Sequence, residues 1–396
     1  MNVRHPPLSS ASAPRPLQLE GVRDVLESTE PLVLSLLVLA LVAVVLAVWW
    51  LVRWLRRPPG VRLQRVLADY DEVTVLMHPN PDPDAMASAM AVEAIADTVD
   101  TAATLKYPGE IRHQENRAFR TVLDLDLETI DAKSDLETEA VVLVDHNTPR
   151  GFTGAQLVEP LAVIDHHPGN GAGTEFTDVR TDYGATATVL TEYLREIGAS
   201  IAGDDPGAEI DVTEELATGL VYGIQSDTNH LTKGCTRADF EASSFLFDGI
   251  DEDLLDRIAN PQVSDDVLQT KATAITEKRV EGAFAVCDVG EISNVDAIPQ
   301  AADELMHLEG VTAVVVYGEH DGTVHLSGRS RDDRVHMGET LRHVVSDIPM
   351  ANAGGHARMG GGQLSIDHMT GIGPSKGIDK TQFEERLFAA MAGDRS

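Results

Sequence analysis

Lysine is scarce in this 396-residue chain. Lys106, Lys133, Lys233, Lys271, Lys278, Lys376 and Lys380 are all of it, so arginine carries most of the positive charge. Against 31 basic residues stand 64 acidic ones, a net charge of −33. A surface this acidic lacks the clustered lysine and arginine that a duplex-DNA footprint needs, and that class of partner is excluded. A small phosphorylated ligand held through cations is not. Self-repulsion of this size is screened at high salt, so the composition points to the cytoplasm of a salt-adapted cell. Cysteine is rarer still. Cys235 and Cys287 make neither a disulfide framework nor a thiolate zinc cluster and suit a reducing compartment.

One long apolar run is present. Residues 32–52 are apolar apart from Ser35, long enough to cross a bilayer as one helix. Trp49, Trp50 and Trp54 stand at its far end, and Arg53, Arg56, Arg57, Arg62 and Arg65 follow it. The expectation is a transmembrane helix over 31–53 that contacts lipid through 32–52, a single-pass anchor with the domains behind it cytoplasmic. Residues 1–30 are expected to be disordered and 54–70 to be a juxtamembrane linker.

Beyond residue 70 short apolar runs alternate with helical spacings. Runs at 73–77, 140–144 and 161–164 alternate with helical patterns at 85–96, 184–197 and 213–226, which predicts an α/β fold on a parallel sheet. Ligands bind outside the carboxyl ends of such strands. The expected organisation is a catalytic domain over 71–249, a helical connector over 250–280, and a smaller α/β domain over 281–396, with the active site in the cleft between the two domains.

The polar clusters fall at those strand ends. The first is His78-Pro79-Asn80-Pro81-Asp82-Pro83-Asp84, where prolines hold the loop extended and Asp84 could also cap the next helix. Asp145-His146-Asn147, Asp165-His166-His167 and Asp227 follow in order. Carboxylates gathered with imidazoles repel one another unless cations sit among them. Mixed oxygen and imidazole donors suit Mn²⁺, with Mg²⁺ or Fe²⁺ as alternatives. Two such ions about 3.5–4 Å apart can clamp a phosphoryl group and activate a shared water.

With these four segments the chain resembles the DHH phosphoesterases, a family named for the triplet found here at 165–167, and the likeness extends over roughly 70–390. The resemblance implies one ion on His78, Asp82 and Asp145 and a second on Asp84, Asp145, His166 and Asp227, with Asp145 bridging. It places His167 beside the scissile phosphate. The C-terminal part is similar to the DHH-associated substrate-binding domain, through Gly354-Gly355-His356 and the glycines at 360–362. There Arg329, Ser330, Gly354, Gly355 and His356 are implied to hold substrate. Family and composition together suggest a membrane-anchored, haloarchaeal enzyme, possible as a homodimer. Its implied substrates are cyclic di-AMP, short oligoribonucleotides or 3′-phosphoadenosine 5′-phosphate. A single-strand exonuclease, an enzyme of the inorganic pyrophosphatase kind and a non-catalytic nucleotide sensor are the alternatives.

Overall fold

The computed structural model describes residues 35–36, 39–46, 48–49, 57–201, 203, 207–369 and 377–394. Among the described residues no helix is long and apolar enough to cross a membrane. The transmembrane helix expected over 31–53 is corrected accordingly, and with it the lipid contact and the single-pass localisation. The rest of that expectation, like residues 1–30, lies outside the described residues. The stretch expected as a linker contains helix α1 (Pro59–Leu67), whose Leu63 and Leu67 are fully buried.

The next unit is a parallel α/β domain. Its strands are β1 (Glu72–Leu76), β2 (Ala102–Pro108), β3 (Glu128–Ile130), β4 (Val141–Val144), β5 (Ala162–Asp165) and β6 (Phe176–Val179). They lie side by side as β3-β2-β1-β4-β5-β6, all parallel. Every residue of β4 and β5 is buried, as expected for strands covered on both faces. The order reverses direction between β1 and β4. Loops leaving the carboxyl ends of those two neighbours diverge and open a crevice, the usual ligand position in doubly wound sheets.

Three helices line the crevice. Helix α2 (Pro83–Asp97) is alanine-rich and buried almost all round, so neighbours pack on it closely. Helix α3 (Gln114–Val122) follows β2, and α4 (Thr186–Ile197) follows β6. Beyond a small β7–β8 pair (Ala199–Ile201, Ile210–Val212) runs α5 (Glu214–Asp227). A Cβ on Gly223 would lie 3.1 Å from the Pro83 carbonyl oxygen and 3.2 Å from Asp84 Cα. The missing side chain lets α5 approach the start of α2, and Asp227 follows one turn later.

Helices α6 (Arg237–Leu246), α7 (Glu252–Ala259) and α8 (Asp265–Glu277) lead to the second domain. Its mixed sheet has the order β13-β14-β12-β11-β10-β9, from β9 (Arg279–Glu281), β10 (Phe284–Glu291), β11 (Ala313–His320), β12 (Thr323–Ser330), β13 (Asn352–Gly355) and β14 (Met359–Ser365). Alternation along β10 separates two cores. Ala285 and Cys287 join one with α9 (Ala297–Leu305), and Val286 joins the other with α10 (Met337–Val345) and α11 (Lys380–Met391). Asp321 and Gly322, both at positive φ, turn β11 into β12.

Candidate metal centre

His78 leaves β1, Asp145 leaves β4, Asp165 ends β5, and His166 and His167 follow it. Asp82 is the N-cap of α2 and accepts the Ala85 N–H at 3.1 Å. Asp84, fully buried, accepts the N–H groups of Thr186 and Ala187 at 2.7 Å each. Two helix N-termini, of α2 and α4, therefore face the crevice and favour negative charge there.

These side chains converge in overlapping groups whose donor atoms lie within 4.8 Å of one another. His78, Asp82 and Asp145 form one, Asp84, His166 and Asp227 form another, and Asp145, His166 and His167 form a third that shares a residue with each. Asp145 stands between them. Its Oδ2 is 3.3 Å from His78 Nε2, and its Oδ1 is 3.5 Å from His166 Nε2. His166 Nε2 is also 3.2 Å from Asp227 Oδ2 and 3.8 Å from Asp84 Oδ2. Asp145 is buried and sits in left-handed backbone at φ 62, a strained position that aims its carboxylate across the β1–β4 gap.

Both histidines are oriented from behind. His78 Nδ1 donates to the Pro79 carbonyl at 3.0 Å and His166 Nδ1 to that of Tyr183 at 3.2 Å. Each therefore turns Nε2 to the carboxylates, the arrangement metal-ligating imidazoles use. Asp145 Oδ2 and His166 Nε2 are buried and make no hydrogen bond. Burial pushes Asp84 well above the usual carboxylate range, and Asp145, Asp227 and Asp82 push it further. Burial also raises Asp227. On His78 burial acts downward, but the Asp145 and Asp82 carboxylates prevail and raise it to about 10. His166 rises to about 9 against the same burial effect, through Asp227 and Asp145. Two orphaned buried atoms and an excess of buried carboxylate are what divalent cations relieve, so the donor set fits metal ions.

Neighbouring side chains play other parts, and Thr186 lies outside every motif. Thr186 donates its hydroxyl to Asp145 Oδ1 at 2.9 Å. Asp165 points at no metal cluster; it binds His167 and Asn147 instead. His146 turns inward, donating Nδ1 to the Val144 carbonyl at 2.9 Å, and burial lowers its pKa to about 4, so it is a neutral structural histidine.

In the second domain Arg329 is partly buried. It pairs with Asp303 on α9 at 2.5 Å and donates to Ser327 Oγ at 3.0 Å. Ser330 is buried, its hydroxyl donating to the Asp332 carbonyl at 3.0 Å. Gly354 faces Gly361 across the β13–β14 ladder, and a hollow of about 370 Å³ opens over Gly354, Gly361 and Gly362. His356 is exposed at the hairpin end. A larger hollow of about 770 Å³ lies between α3, the α7–α8 turn and the start of the second domain, and no candidate ligand lines it.

Residues 72–224 match the DHH family N-terminal domain, and residues 281–372 match the DHHA1 domain. Over these two stretches the chain is similar to the DHH family. An uncharacterized protein of Methanocaldococcus jannaschii is 34% identical over 307 residues, 77% of this chain and 60% of the relative. The cyclic-di-AMP phosphodiesterase GdpP of Geobacillus thermodenitrificans is 26% identical over 331 residues, 76% of this chain and 46% of the relative. The chain thus spans only about half the length of these curated relatives. In fold it is similar to an exopolyphosphatase-related protein from Bacteroides fragilis, with TM-score 0.62, 16% identity and coverage of 85% of this chain and 97% of that one. Nothing in the family match ties the chain to haloarchaea, and these relatives come from a methanogen and a bacterium, so that expected source is corrected. The DHH-family fold and the ligand clusters support metal-dependent phosphoesterase chemistry.

Proposed function

We propose that this chain hydrolyses small nucleotide phosphoesters with two divalent ions. Manganese is the best fit to four carboxylates mixed with two imidazoles. The observation that carries the reading is Asp145, whose two oxygens face different imidazoles from a buried, strained position. A carboxylate so placed suits a bridge. His78, Asp82 and Asp145 would hold one ion, and Asp84, Asp145, His166 and Asp227 the other. Bound there, the ions supply Lewis-acid neutralisation of phosphoryl charge and lower the pKa of a water.

The chain's own groups do the rest. The amides of Thr186 and Ala187 hold Asp84, and the Thr186 hydroxyl holds Asp145, so the carboxylates are fixed before substrate arrives. His167, half-exposed beside them, contacts the scissile phosphate. Arg329, Ser330, Gly354, Gly355 and His356 hold the far part of the substrate, where glycine allows backbone to approach phosphate closely.

The name of the Geobacillus relative supports cyclic di-AMP as the first substrate to try, with linear short oligoribonucleotides and 3′-phosphoadenosine 5′-phosphate next. The test is a turnover screen of the chain with Mn²⁺ against these three, long single-stranded DNA and pyrophosphate. Turnover of one of the small nucleotides is expected. Hydrolysis of pyrophosphate alone, or of none, refutes the reading.

A further inference from the structure

We propose that Asp165 and Asn147 form a positioning pair that keeps His167 out of the metal ligand set and holds it for the substrate, an inference that rests on the two-ion reading above. His166 and His167 are chain neighbours with ring centroids 4.2 Å apart. Both approach Asp145, His167 Nδ1 lying 3.6 Å from Asp145 Oδ1. Proximity alone does not separate a ligand from a substrate group. What differs is the partner of Nδ1. In His166 it is the Tyr183 carbonyl, which leaves Nε2 to the carboxylates. In His167 it is Asp165 Oδ1 at 3.0 Å, and the same oxygen accepts the His167 backbone N–H at 3.0 Å. Nδ1 is the His167 nitrogen near Asp145, so Asp165 takes it away from any ion there. Nε2 is left for substrate.

Asp165 is itself fully buried, and its second oxygen accepts the Asn147 side-chain N–H at 2.7 Å. Asn147 also reaches the His167 carbonyl at 3.3 Å. The segment after His167 closes on this amide. A Cβ on Gly169 would lie 2.1 Å from Asn147 Oδ1, and one on Gly171 would lie 1.4 Å from the Asn147 carbonyl oxygen. No side chain fits at either glycine, so the loop after His167 packs on Asn147, and the carboxamide ties the β4 loop to Asp165 and to the His167 carbonyl.

The experiment measures kcat, KM, bound manganese and thermal midpoint on the phosphoester that the wild-type chain turns over. The variants are Asn147→Ala, Asp165→Asn, Asn147→Asp with Asp165→Asn, His167→Ala, and Asn147→Ala with His167→Ala. Asn147→Ala and Asp165→Asn should each lower kcat by about ten- to hundredfold, the usual cost of a misplaced group. KM and bound manganese should not change. Asp165→Asn sets donor against donor, and adding Asn147→Asp exchanges donor and acceptor at constant charge. The exchanged pair should recover about tenfold over Asp165→Asn. In the His167→Ala background, Asn147→Ala should cost less than about threefold, because groups acting as a unit are not additive. A full further loss in that background, or loss of manganese from Asn147→Ala, overturns the proposal. If His167→Ala is impaired while Asn147→Ala and Asp165→Asn match wild type, the positioning pair fails alone. If His167→Ala matches wild type, the role given to His167 under the proposed function fails with it.

Discussion

The backbone N–H of Thr186 donates to Asp84 Oδ2 at 2.7 Å, joining the start of α4 to the start of α2 across 102 residues of sequence. The same threonine gives its hydroxyl to Asp145 Oδ1 at 2.9 Å, so one residue at a helix N-terminus orients two candidate ligands, one on α2 and one after β4.

Thr186→Val separates the two contacts. It keeps shape and backbone amide and removes only the hydroxyl. Groups that orient metal ligands typically cost about ten- to hundredfold in metal affinity when lost. Manganese titration should show weakening of that order, with kcat at saturating metal within about threefold of wild type. Unchanged affinity refutes an orienting role for Thr186.

Asp145→Asn tests the bridge. Asparagine tolerates left-handed backbone nearly as well as aspartate, so the strained φ of 62 does not threaten the fold. What changes is the charge shared by the two ions. Turnover should vanish and at least one equivalent of manganese should be lost. Activity within about tenfold of wild type removes Asp145 from the centre.

Much of this centre was legible because three of the four ligand segments follow apolar strands, and parallel strands deliver their ends to one crevice, whereas Asp227 ends helix α5. What could not be read lies in contacts between distant segments. Thr186 begins a helix as many threonines do, and nothing local says that it reaches Asp84 and Asp145. Asp165 read as one more converging carboxylate until its bonds to His167 and Asn147 set it apart. Strand β2 hides its burial behind Lys106, whose Nζ reaches the Asp135 carbonyl and Glu128. Strand β14 is three glycines in its first four residues, with β pairing but little β composition. The apolar run at 32–52 misled in the other direction, since hydropathy alone does not specify a spanning helix.

Metal removal should be coupled to protons. Without ions His78 and His166 hold their protons at neutral pH, being raised to about 10 and about 9. Ligation needs both imidazoles neutral, so manganese must expel those protons, and affinity should rise as pH rises from 6 toward 9. Calorimetric titration at pH 7.5 in two buffers of different ionisation heat should report roughly two protons released per chain. Manganese at about a hundred times its Kd should also stabilise the fold by about 2.7 kcal/mol, reversed by chelator. Release of no protons refutes the assignment of His78 and His166 as ligands.

The last prediction concerns Arg329 and its partner. Asp303 holds the guanidinium through Nε at 2.5 Å and through Nη2 at 3.2 Å. If Arg329 binds the far phosphate of the substrate, Asp303 competes with it. Arg329→Ala should then raise KM and spare kcat, because a contact made equally in ground and transition states affects binding alone. A charge-assisted hydrogen bond contributes about 1.5–3 kcal/mol, so the expected loss in kcat/KM is about ten- to hundredfold. Asp303→Asn should act in the opposite direction and lower KM, since it frees the guanidinium while leaving side-chain size unchanged. His356→Ala should resemble Arg329→Ala in milder form. Manganese content should be the same in all three variants, because none of these residues belongs to the ligand clusters. Steady-state kinetics with metal analysis decides the matter. A KM raised by Asp303→Asn makes the Arg329–Asp303 pair a structural brace between β12 and α9, and the substrate site must then lie elsewhere on the second domain.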